Sequence, residues 1–87
     1  MVLVNQRACP RPRKRLNIWG AALRRFRRER GWSQEELARR VQRAGWDVSR
    51  VVLFRIESGD RQLVDYEAEF LLRVLGRTLA DLAAEVK

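Results

Sequence analysis

Histidine is absent from these 87 residues, and cysteine occurs once, as Cys9. Without imidazole the chain lacks the commonest general base near neutral pH and the commonest metal ligand, and a lone thiol closes no internal disulfide. Enzyme chemistry is not expected, and no cofactor is implied. Proline occurs only as Pro10 and Pro12, inside a first segment that shows no helical period. No apolar run approaches the roughly 20 residues needed to span a bilayer. The opening Met1-Val2-Leu3-Val4 is too short for a signal-peptide core. These absences point to a cytoplasmic protein with no membrane-spanning segment. At 87 residues the chain holds one compact domain, because a core of this size buries only somewhat more than half of the surface that unfolding exposes.

Charge is abundant and uneven. The net charge is +8, yet from Met1 to Ile56 fifteen basic residues face four acidic ones, whereas from Glu57 to Lys87 four face seven. The basic part is almost entirely arginine. Its planar donor fork matches phosphate and the guanine edge, which favours a nucleic-acid partner. An anionic membrane surface meets the same charge requirement.

Met1 to Leu16 gathers Arg7, Arg11, Arg13, Lys14 and Arg15 around the two prolines. It reads as a flexible basic arm, with Arg11, Arg13, Lys14 and Arg15 placed to reach phosphate or a minor groove. A solvated terminus without a partner is the plainer reading. Residues 17–87 then carry the folded domain.

Asn17 is positioned to cap a helix from about Ile18 to Arg30, with Ala22, Leu23 and Phe26 on one face. Gly31 ends it. Ser33 has the oxygen of an N-cap and Glu36 follows three positions later, the spacing of a capping box, so a second helix is expected from Gln34 to Arg43 or Ala44, stopped by Gly45. A third runs from Ser49 or Arg50 to Glu57 or Ser58, with Val48, Val52 or Leu53, and Ile56 inward. Asp65 is expected to cap a fourth helix, Tyr66 to Leu75, with Leu71, Leu72 and Leu75 in its stripe. Thr78 opens a last one carrying Leu79, Leu82 and Val86. Five helices with short connectors leave no room for a sheet.

Three runs carry a resemblance: Leu23-Arg24-Arg25-Phe26-Arg27, Gly31-Trp32-Ser33-Gln34-Glu35-Glu36-Leu37-Ala38, and Val48-Ser49-Arg50 leading to Leu53 and Arg55-Ile56-Glu57-Ser58-Gly59. Asp65-Tyr66-Glu67 with Val74-Leu75-Gly76 adds a fourth. In this order they resemble the Cro and phage-repressor, or XRE-like, helix-turn-helix family. The resemblance implies an all-α, five-helix lambda-repressor-like domain that binds double-stranded DNA. The third helix would enter the major groove. The family's base-reading positions fall on Arg50, Val51 and Arg55, and its phosphate contacts on Ser33, Gln34, Ser49, Ser58, the amide of Gly59, and Arg61. Glu57 matches a glutamate that pairs with an arginine of the first helix, here Arg27, and so pins the reader helix to its scaffold. Arginine can bond bidentately to guanine O6 and N7, so guanine is expected in each half-site.

The chain departs from that pattern in three places. About five extra residues separate Ala38 from Val48, so the second helix is longer or the turn wider, and Trp46 is expected to cover the gap. In the apolar run Val51-Val52-Leu53-Phe54, one face cannot bury all four, and Val51 or Phe54 is left exposed. Asp60 places negative charge near the expected phosphate contacts. The implied function is a sequence-specific transcriptional regulator, a repressor acting by occupancy, nucleoid-associated, and working as a homodimer on a palindromic site through contacts such as Phe70 and Leu79. The alternative is a protein-interaction module of the same fold, an antitoxin or an adaptor with a protein partner.

Overall fold

In a computed structural model, which describes residues 15–85, five helices and no strands are found among the described residues. They are α1 (Gly20–Glu29), α2 (Gln34–Ala44), α3 (Arg50–Ser58), α4 (Asp65–Leu75) and α5 (Leu79–Glu85). Each start has a local cause. Ser33 Oγ accepts from the Glu36 amide at 3.0 Å and Ser49 Oγ from the Val52 amide at 3.2 Å, which satisfies donors that have no partner within the helix. At α5 the box is reciprocal: Thr78 Oγ1 accepts from the Asp81 amide, and Asp81 Oδ2 accepts from the Thr78 amide at 2.9 Å.

Three starts differ from the sequence expectation. Glu36 does not close its box; its carboxylate takes bonds from Arg39 and Arg40 instead, at 2.7 and 2.8 Å. The first helix begins at Gly20, not Ile18, although Asn17 Oδ1 still accepts from the amides of Trp19 and Gly20. Asp65 is the first residue of α4 and not its cap. Val64 takes that place, its amide donating to Glu67 Oε1 at 3.3 Å.

The core is built from one stripe of every helix. Leu23 and Phe26, Leu37 and Val41, Leu53 and Ile56, Leu71, Leu72 and Leu75, and Leu82 are all buried, each contributing roughly 1.5–3 kcal/mol on burial. Helix α1 packs on α3, α4 and α5, and α2 packs on α3 and α4, so α3 lies against the two helices that precede it. Ala38 is buried on α2, the helix that packs on α3. Val86 lies outside the described residues.

The extra residues before Val48 are absorbed in both ways. Helix α2 runs to Ala44, and the connection to α3 is held by the Trp46 amide on the Val41 carbonyl and by Gln42 Nε2 on the Val48 carbonyl at 2.6 Å. Trp46 is half-buried and meets Phe70 edge-on, with ring centroids 6.0 Å apart, a favoured aromatic geometry. Phe70 is therefore engaged with the core, while Leu79 stays exposed. No described helix is long and apolar enough to cross a membrane.

Candidate nucleic-acid interface

Helix α3 has two unlike sides. Leu53, Ile56 and Glu57 are buried; Arg50, Val51, Phe54, Arg55 and Ser58 are exposed. At about 100° per residue these five follow one another around an arc of about 140°, in the order Arg50, Phe54, Ser58, Val51, Arg55. The apolar and hydroxyl groups occupy the middle. The two arginines stand at the margins, and neither has a carboxylate partner among the described residues. The first turn of α3 carries no acidic residue, so the positive end of its dipole adds to Arg50 without local cancellation.

The buried side is fixed by an ion pair. Arg27 Nε meets Glu57 Oε2 at 2.8 Å and a second guanidinium nitrogen meets Oε1 at 3.0 Å, with side-chain exposures of 9% and 3%. The third nitrogen of Arg27 donates to the Trp32 carbonyl at 2.8 Å. Gln34 Nε2 donates to Glu57 Oε1 at 3.1 Å. One carboxylate of α3 thus joins α1 and the start of α2, and each of its two oxygens accepts from the Arg27 guanidinium. A primary amide nitrogen carries two hydrogens, so Gln34 retains one donor at the exposed N-terminus of α2.

A second anchor was not legible in the sequence as such. Asn17 is buried; besides its two accepted bonds, its Nδ2 donates to the Ile56 carbonyl at 3.1 Å and to the Arg61 carbonyl at 2.7 Å. Its amide therefore ties the entry of α1 to the exit of α3. Gly20 allows the approach, since a Cβ there would lie 2.3 Å from the Ile56 carbonyl oxygen and 2.6 Å from that of Glu57. Only glycine fits.

The positions expected to meet phosphate are disposed unequally. Ser33 and Ser49 are exposed caps whose hydroxyl protons remain available. Ser58 is exposed, with its hydroxyl within reach of the Arg55 carbonyl and of Asp60 Oδ2, at 3.2 and 3.1 Å. Gly59 is buried in the left-handed region at φ +83°; its amide donates back to the Ile56 carbonyl and its carbonyl accepts from the Leu16 amide. That amide is turned away from any outside phosphate. Arg61 pairs with Glu67 at 3.0 and 3.3 Å and also reaches the Gln62 carbonyl, and the bond from Arg61 holds the Glu67 carboxyl below the usual carboxylate range. Arg15 and Leu16, expected in the arm, lie beside Gly59. Arg11, Arg13 and Lys14 lie outside the described residues.

Two cations missed in the sequence adjoin this face. Arg24 and Arg28 are exposed on α1 and, with Gln34, Phe54 and Ser58, line a depression of about 270 Å³. Neither has a carboxylate partner among the described residues. Their neighbour Arg25 does, in Glu29 and Glu85. The spacing held that signal: Arg25 has an acid four positions on, whereas Arg24 has Arg28 there.

Residues 23–82 match the family model described as helix-turn-helix. The chain belongs to the helix-turn-helix family of the Cro and phage-repressor (XRE) type. Neither the curated proteins nor the solved structures gave a match. The matched span of this helix-turn-helix protein runs from Leu23 of α1 to Leu82 of α5 and takes in the whole of α2, α3 and α4. It makes the chain a DNA-binding regulator of the XRE type. Asn17 and Gly20, which hold α1 to α3, precede that span.

Proposed function

We propose that the protein is a sequence-specific transcriptional repressor whose α3 reads the major groove and excludes other proteins by occupancy. The observation that carries this reading is the open side of α3. Arg50 and Arg55 project from a helix fixed on its other side by the Arg27–Glu57 pair, so donors that suit guanine are presented on a rigid support. Ser33, Gln34 and Ser49 contact phosphate beside it, and Arg24 and Arg28 extend that contact along α1. Val51 reads by shape or by a methyl contact. The Arg61–Glu67 pair and the inward Gly59 amide favour a role for those two residues in holding the α3–α4 connection rather than in touching DNA.

The protein acts in the cytoplasm, on the nucleoid, and binds a palindromic site as a homodimer, because two modules raise affinity and specificity over one. Leu79, exposed on α5, is the candidate for the contact between copies. Selection of bound duplexes from random DNA is the test. A palindrome with guanine in each half is expected, with affinity falling steeply as salt rises and with Arg50→Ala relaxing the preference at guanine. Recovery of no motif at moderate salt moves the assignment to an interaction module of the same fold. The exposed Tyr66 and Leu79 are the observation that favours that second reading.

A further inference from the structure

Phe54 is 54% exposed and Val51 56%, on a helix that already buries Leu53 and Ile56. Together Phe54 and Val51 give the open side of α3 an apolar middle between its two arginines. Around α3 the Phe54 ring stands between Arg50 and Ser58. Across the adjoining depression it faces Arg24, Arg28 and Gln34, beside a Glu57 carboxylate already paired with Arg27. An apolar protein surface laid on this ring would desolvate arginines that have no carboxylate to meet them, which is unfavourable. A DNA duplex meets both requirements: phosphates for the guanidinium groups, and one apolar substituent on the major-groove edge, the C5-methyl of thymine.

We propose that Phe54 is a specificity-determining residue that packs on a thymine methyl in each half-site. The inference rests on the DNA-binding reading above and adds a base that the arginines do not select. Four residues of helix rise by about 6 Å, and base pairs are spaced by about 3.4 Å. The thymine therefore lies within two base pairs of the base met by Arg50. The ring has no donor or acceptor, so it discriminates by contact area alone, and cytosine at that position presents no methyl.

The test uses the full chain and a duplex recovered by the selection described above. Each dT is replaced singly by dU, which removes the methyl and leaves the base pair intact, and affinity is measured by fluorescence anisotropy at fixed salt. At one dT per half-site the substitution is expected to weaken wild-type binding about fourfold, corresponding to about 0.8 kcal/mol for one buried methyl-sized group. Phe54→Ala is expected to bind the dT and dU duplexes equally while unfolding like the wild type. Phe54→Leu, which retains an apolar contact, is expected to show a reduced dU penalty and serves if the alanine variant binds too weakly to compare. Tight, motif-selective binding that is indifferent to dU at every position, or a motif without thymine, overturns the role of Phe54 and leaves the regulator standing. A dU penalty undiminished in Phe54→Ala assigns the methyl to another residue and also overturns it. Failure of the wild type to select any duplex removes the DNA-binding reading and this inference together.

Discussion

Arginine serves opposite ends on the two sides of α3. Arg27 reaches that helix from α1, is buried, and is matched nitrogen by nitrogen with Glu57 and the Trp32 carbonyl. Arg50 and Arg55 grow from the helix itself, are exposed, and have no carboxylate partner among the described residues. The side chain is the same and its charge is fixed in both places. What differs is whether the fold supplies a carboxylate at bonding distance. A paired, buried guanidinium orients the helix, and an open one is available to an outside anion. The same division runs through α1, where Arg25 and Arg30 clip the scaffold to Glu85 and to the Leu75 carbonyl while Arg24 and Arg28 are left open.

The comparison breaks most readily at Glu57. Glu57→Ala strands the Arg27 guanidinium in a buried site and is expected to cost about 3–5 kcal/mol in urea unfolding, whereas Glu67→Ala, which frees the part-exposed Arg61 and the Val64 amide at the start of α4, is expected to cost about 1–2 kcal/mol. Equal losses would mean that the buried pair has no special structural role. On the open side the expectation reverses. Arg50→Ala and Arg55→Ala should each lose about 1–3 kcal/mol of discrimination at a guanine position while the unfolding free energy stays within about 0.5 kcal/mol of wild type. A large stability loss at either residue would contradict the division.

The smallest effect is the response to acid. Arg61 bonds hold the Glu67 carboxyl low, the Thr78 amide does the same for Asp81, and the bond from Arg39 does so for Glu36. Each carboxyl binds protons less readily folded than unfolded, so each contributes stability that is fully present above the ordinary carboxylate range, near pH 4 to 4.5, and is lost as pH falls through the lowered folded value. Thermal unfolding followed from pH 6 to pH 3 should show a plateau and then a decline below about pH 4. In Glu67→Gln that decline should be shallower.

The helices were readable because their signals are local. Ser33, Ser49 and Thr78 sit one residue ahead of the helices they open, and Gly45 and Gly59 follow α2 and α3 in backbone conformations that other residues resist. Asp65 misled because it is the first residue of the helix and Val64 takes the cap, with Glu67 answering the Val64 amide, in the phase that buries Ala68, Leu71 and Leu72. The candidate interface was readable in its residues and less so in its availability. Ser33, Ser49, Arg50 and Arg55 are open, but Gly59 and Arg61 are already engaged, and the apolar run resolves to an exposed Val51 and Phe54 around a buried Leu53.

The order of residues alone determined five helices, their apolar faces, and a surplus of arginine, since capping, periodicity and composition act over a few neighbouring positions. Spacing already set Arg25 apart from Arg24 and Arg28, but only the packed chain decided which groups far apart in sequence meet. Glu57 stands thirty positions from Arg27, and the Ile56 carbonyl thirty-nine from Asn17. Folding brings them within bonding distance, and that approach turns one side of α3 into an anchor and leaves the other side to meet a partner.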